Sequence, residues 1–123
     1  MARIVVVEDD PDVLALVEHK LTRGGHEVTT ASDGVAGLAL IESTRPDLVV
    51  LDWMMPRMNG LEVCQAVRAD PDLDATRVMM LTAKAQEQDV VRAFASGADD
   101  YLSKPFSPAE LLTRVTALLA RTR

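Results

Sequence analysis

The sequence predicts an α/β protein, a doubly wound parallel sheet of five strands covered by helices on both faces. Two patterns predict it. Short β-branched runs alternate with stretches whose apolar residues recur at helical spacing, and parallel strands need long crossovers that helices supply. The runs are also continuously apolar, as in "RIVVV" and "LVVL", which marks strands buried on both sides.

The elements follow in order. "RIVVV" is the first strand and stops at "EDDPDV", where Asp10 can cap a helix and Pro11 can take its first position without losing a hydrogen bond. Leu14, Val17 and Leu21 recur at helical spacing until "RGG" ends that helix. "HEVTTA" is a short strand. "SDGVAGLALIEST" is a helix with Val35, Leu38 and Ile41 on one side, and "PDLVVLD" is the third strand. After "WMMPRM", Asn59 and Glu62 have the spacing of a capping box for "GLEVCQAVRAD".

A polar connection, "DPDLDATR", leads to the strand "VMMLT". "AQEQDVVRAFASG" is the fourth helix, with Val90, Val91 and Phe94 expected inward and Gly97 at its end. "DDYLSKP" is a short last strand. Ser107, Pro108 and Glu110 have capping-box spacing before "ELLTRVTALLAR", whose Leu111, Val115 and Leu118 form an apolar stripe.

At 123 residues and 48% hydrophobic, the chain suits one domain over residues 1–123, with the start of a linker at 120–123. A single cysteine, Cys64, cannot form an internal bridge and is expected in the core. No apolar stretch approaches the roughly 20 residues that span a bilayer, so a cytoplasmic protein away from the membrane is expected. The net charge of −6 argues against direct nucleic-acid binding, which needs clustered Lys and Arg.

In doubly wound sheets, ligands bind beyond the carboxyl ends of the strands. Here those ends hold Glu8, Asp9 and Asp10, then Asp52, then Thr82, then Lys104 and Pro105. Asp52 is the telling one, because a charge that ends a buried apolar run is costly. Two unit charges about 4 Å apart repel by roughly 4 kcal/mol at an effective dielectric near 20, so three gathered carboxylates call for a proton or a cation. An all-oxygen set suits Mg²⁺, while the absence of nearby His or Cys argues against zinc. A carboxylate flanked by a divalent cation and Lys104 can attack phosphorus, with the Thr82 hydroxyl donating to a phosphoryl oxygen.

Together, "VVVEDD", "LVVLDWMMPRMNG", "MLTAK" and "GADDYLSKPF" resemble the receiver domain of two-component response regulators, over essentially the whole chain. The resemblance implies a (βα)5, flavodoxin-like fold with strand order 2-1-3-4-5. It implies phosphorylation of Asp52 by a histidine kinase or phosphotransfer protein. Asp9 and Asp52 would bind Mg²⁺ directly, Glu8 through water, and the Met54 backbone carbonyl would add a ligand. Thr82 and Lys104 would hold the phosphoryl oxygens, and the Lys104–Pro105 bond would be cis. Met54 and Lys84 occupy the positions that tune phosphoryl lifetime.

Thr82 and Tyr101 stand at the switch positions, coupling the site to the face made by the fourth helix, fifth strand and fifth helix. The chain is most similar to receivers of winged-helix transcription regulators, which pair through that face and carry a DNA-binding output domain. Asp99, Asp100, Glu110, Arg114 and Arg121 match its charged positions, with Arg114 pairing Asp100 and Arg121 pairing Asp99 across a two-fold axis. Val90 stands where a basic partner for Glu110 is expected.

Three other functions fit the residues less well. A haloacid dehalogenase-like phosphohydrolase needs a second acid two residues after the nucleophile, and that residue is Met54. A flavin or nucleotide binder needs a loop that cradles phosphate after the first strand, where this chain has "EDDPD". A receiver-like module that is never phosphorylated would not need the intact acid, Asp, Thr and Lys set. The methionines at 54, 55, 58, 79 and 80 are expected as core and gap filler, and Trp53 as packing beside the pocket. His19 and His26 lie away from the strand ends and are not read as phosphocarriers.

Overall fold

A computed structural model describes residues 1–83 and 86–121. Five parallel strands, β1 (Arg3–Val7), β2 (Glu27–Ala31), β3 (Leu48–Asp52), β4 (Arg77–Thr82) and β5 (Asp100–Ser103), lie in the order β2-β1-β3-β4-β5. Five helices connect them: α1 (Pro11–Arg23), α2 (Gly34–Thr44), α3 (Gly60–Ala69), α4 (Glu87–Ala95) and α5 (Pro108–Ala120). The strand order reverses between β1 and β3, which opens a crevice at their carboxyl ends.

Period-2 alternation divides the core into two layers. Val5, Val7, Val49, Leu51, Val78 and Met80 pack with Ile41 of α2, Val63, Cys64 and Val67 of α3, and Ala93 of α4. Ile4, Val6, Leu48, Val50, Met79 and Leu81 pack with Val17 and Leu21 of α1 and with Leu111, Val115 and Leu118 of α5.

Helix starts follow the expected chemistry. Asp10 accepts from the backbone N–H groups of Asp12 and Val13, ahead of Pro11. Asn59 and Glu62 form the full reciprocal capping box. At α5 only half of the expected box is made. Ser107 accepts from Glu110 N at 3.2 Å, but the Glu110 carboxylate turns to Arg114 at the same distance.

Two helix faces differ from the sequence reading. In α2, Gly37 and Ile41 pack on the sheet, Gly34 is buried against the Met58 backbone, and Val35 is 56% exposed. In α4, Asp89 and Ala93 face inward, whereas Val91 and Phe94 are 61% and 44% exposed. Close packing decides the first case: a Cβ on Gly37 would stand 2.6 Å from the Val7 side chain, so only glycine lets this helix approach.

Candidate functional site

Register brings the acids together. Val7 lies opposite Leu51, so the residues that follow, Glu8 and Asp52, are neighbours across adjacent strands. Glu8 and Asp52 are buried and Asp9 is exposed, and one carboxylate oxygen from each lies within 4.8 Å of the others. Lys104 enters from beyond β5. Its Nζ is 2.8 Å from Glu8 Oε1 and 3.4 Å from Asp52 Oδ1. Glu8 Oε2 also accepts from Asp10 N at 3.1 Å.

This crowding governs ionisation. Burial, then a hydrogen bond with Glu8, the charge of Glu8 and a hydrogen bond with Asp9 push the Asp52 carboxyl up to about 8, against the opposing pull of Lys104. Burial alone would lower the Lys104 pKa, but Glu8 and Asp52 outweigh it and raise the ammonium above its usual range. The crowding that favours a proton on Asp52 would equally favour a cation in the proton's place. Three oxygen donors without nitrogen or sulfur match Mg²⁺.

Thr82 ends β4 fully buried, and its carbonyl accepts from Lys104 N at 2.9 Å. The Lys104–Pro105 peptide is cis. Trp53 is buried beside Asp52, and the Arg92 guanidinium lies 5.6 Å from its ring centroid. Met54, expected as filler, is instead 58% exposed beside the cluster. Lys84, read as a tuning residue, lies outside the described residues.

Gly60 closes the loop after β3. Its N–H donates to the Trp53 carbonyl at 2.9 Å, and a Cβ there would stand only 2.2 Å from the Asp52 carbonyl oxygen. The sequence reading missed Arg57 and Asp33. Arg57 has a left-handed φ of 68° and pairs with Asp33 at 3.2 Å. Asp33 was legible as a helix start, but nothing in the chain ties it to an arginine in another loop.

On the remote face, the Tyr101 ring packs against the core and its hydroxyl is buried without a hydrogen-bond partner among the described residues. Burial, then the charge of Asp89, raises its pKa. Arg114 pairs within the chain, with Asp100 at 3.1 Å and Glu110 at 3.2 Å. The Asp99 carboxylate is held by Arg68 at 2.8 Å and by Val78 N at 2.8 Å, and Arg121 Nη1 donates to the Asp99 backbone carbonyl at 3.5 Å.

The family model described as "Response regulator receiver domain" matches residues 4–116. The chain belongs to the response regulator receiver domains. It is 48% identical over 122 residues to the DNA-binding dual master transcriptional regulator RpaA of Synechocystis sp., covering 99% of this chain and 51% of RpaA. The curated relatives it matches include proteins described as DNA-binding response regulators and transcriptional regulatory proteins, and the chain spans about half their length. Among solved structures, a putative response regulator from Chloroflexus aurantiacus superposes with a TM-score of 0.92 at 36% identity, covering 98% of each chain. The receiver domain of the Pseudomonas aeruginosa sensor histidine kinase PA1611, solved with a magnesium ion in its active-site cleft, superposes at 0.89 with 29% identity, covering 98% of each chain. These similarities do not favour a haloacid dehalogenase-like phosphohydrolase or a receiver-like interaction module that is never phosphorylated.

Proposed function

We propose that this receiver domain accepts a phosphoryl group on Asp52. The observation that carries the reading is the convergence of Glu8, Asp9 and Asp52 within 4.8 Å, with Lys104 in contact with two of them. One Asp52 oxygen attacks phosphorus, the bond from phosphorus to the donor's leaving atom breaks, and an acyl phosphate results. Lys104, already 3.4 Å from Asp52, is the cation that would meet the phosphoryl oxygens, and the Thr82 hydroxyl would donate to one of them.

Receiver domains bind Mg²⁺ at an acidic site, and Glu8, Asp9, Asp52 and the Met54 carbonyl would hold it here. When bound, Mg²⁺ supplies positive charge that keeps Asp52 ionised and offsets the charge of the incoming phosphoryl group. The structure of PA1611 with magnesium in its cleft supports that assignment.

The phosphodonor is a histidine kinase or phosphotransfer protein, and the protein works in the cytoplasm. Among the described residues no helix is long and apolar enough to cross a membrane. Residues 1–123 form one signalling domain that catalyses only its own phosphorylation and dephosphorylation. Thr82 and Tyr101 link the site to the α4-β5-α5 face, where phosphorylation favours one of two states and pairing of two copies. By analogy with RpaA, the output is a DNA-binding domain outside this chain. Met54 lacks a strong hydrogen-bonding group to orient an attacking water, so the phosphoryl group is long-lived.

Mass spectrometry after incubation with Mg²⁺ and acetyl phosphate tests the reading. One added phosphoryl group is expected, and none in Asp52→Ala. Equal labelling of that variant would refute Asp52 as the acceptor.

A further inference from the structure

The loop between β3 and α3 carries a backbone irregularity that the acidic cluster does not explain. Arg57 has φ 68°, a region that side chains other than glycine seldom occupy. Such a conformation persists only where the surroundings over-determine it, and these outliers gather at functional sites.

A tight turn holds it locally, where Met58 N donates to the Pro56 carbonyl at 2.8 Å across Arg57, and two further contacts hold it to α2. Arg57 Nη2 lies 3.2 Å from Asp33 Oδ2, while Asp33 Oδ1 accepts from Ala36 N at 2.8 Å and caps α2. One residue further on, the Met58 backbone is pressed against Gly34, where a Cβ would stand 2.0 Å from the Met58 carbonyl oxygen. Both contacts bind the same loop to the first turn of α2. The loop is also tied at its base, where Met55 N and Gly60 N donate to the Trp53 carbonyl at 3.1 and 2.9 Å. Its first residues follow Asp52 directly, and Met54 lies within it.

The arginine side chain is 70% exposed, and an ion pair so placed adds little to global stability. Yet it sits on a strained residue and reaches the one carboxylate that also caps α2. We propose that Arg57 and Asp33 are a positioning pair, fixing the loop after Asp52 against α2 and thereby setting how tightly the acidic cluster holds Mg²⁺. This rests on the reading of the Met54 carbonyl as a metal ligand. A backbone ligand on a loop is only as well placed as the loop, and supporting contacts of this kind tune metal affinity.

Calorimetric titration of the whole chain with magnesium chloride tests the pair. Arg57→Ala, Arg57→Gly and Asp33→Asn each weaken Mg²⁺ binding by roughly threefold to tenfold at low salt. Asn keeps the helix cap and glycine relieves the backbone strain, so these two variants unfold thermally, without metal, near or above the wild-type midpoint. Arg57→Lys restores binding to within about twofold, since the charge is kept. The double variant Arg57→Ala with Asp33→Asn is no weaker than either single one. At about 1 M salt, where the screening length falls to about 3 Å, wild type and variants converge. Folded variants that bind Mg²⁺ as tightly as wild type at low salt overturn the pair while leaving the metal site standing. A wild type that takes up no Mg²⁺ overturns the metal-site reading and the pair with it.

Discussion

Lys104 sits closer to Glu8, at 2.8 Å, than to Asp52, at 3.4 Å. The ammonium thus bridges two buried carboxylates whose strands are adjacent, and it pulls the Asp52 pKa down while Glu8 pushes it up. Changing either neighbour should therefore move the Asp52 titration in opposite directions. In metal-free protein followed by carboxyl NMR, Glu8→Gln lowers the Asp52 midpoint from about 8, and Lys104→Ala raises it. Burial persists in both, so neither returns it to the ordinary value. Midpoints that stay fixed in both variants would show that the three groups do not share one field.

The same group sets a pH dependence of folding. Asp52 titrates at 3.8 as a free side chain and at about 8 in the fold. Between those values the native state holds a proton that the unfolded chain has lost, so unfolding free energy falls as pH rises. The stability tied to this proton is fully present below 3.8 and is gone once pH has passed about 8. Urea unfolding with a chelator present should show that decline, on the order of a few kcal/mol. In Asp52→Asn it is largely absent, and the variant's advantage over wild type grows towards alkaline pH. Parallel pH profiles for the two proteins would contradict the shift.

Much of this site could be read from the chain because its chemistry lies at strand ends, and strand ends are where β-branched runs stop. Asp52 after Leu51 and Glu8 after Val7 are local signals, as are the caps at Asp10 and Asn59. Helix faces were less legible. Periodicity marks a face by its largest apolar residues, but close approach to a sheet selects small ones. Gly37, against Val7, thus displaced Val35, and Ala93 displaced Val91 and Phe94. Long-range ion pairs leave no sequence pattern at all, which hid Arg57 with Asp33 and Arg68 with Asp99.

Gly60 offers a purely steric test. The missing Cβ would meet the Asp52 carbonyl oxygen at 2.2 Å and the Trp53 Cα at 2.8 Å, both backbone atoms that cannot rotate away. Gly60→Ala must displace either α3 or the end of β3. A loss of about 2–4 kcal/mol in denaturant unfolding is expected, with weaker Mg²⁺ binding alongside it. Wild-type stability in this variant would mean that the loop has slack the geometry does not reveal.

Arg68 makes the last prediction. Its guanidinium donates to the carbonyls of Gly97 at 2.9 Å, Leu73 at 3.4 Å and Thr76 at 2.8 Å, and to the Asp99 carboxylate at 2.8 Å. Both side chains of the ion pair are largely withdrawn from water, at 16% and 9% exposure. Arg68→Ala takes a buried cation from the Asp99 carboxylate and strips a donor from three carbonyls, which should cost about 3–5 kcal/mol. Lysine cannot reproduce the planar fork and should recover only part of that loss. Asp99, expected to meet Arg121 of a second copy, is on this geometry first an internal anchor for the turn into β5. Asp99→Asn should therefore lower the unfolding midpoint of the isolated monomer, whereas Arg121→Ala changes it little. Sedimentation of both variants with a beryllofluoride phosphoryl mimic completes the test. An Asp99→Asn protein that unfolds like wild type yet fails to pair would return that carboxylate to the interface.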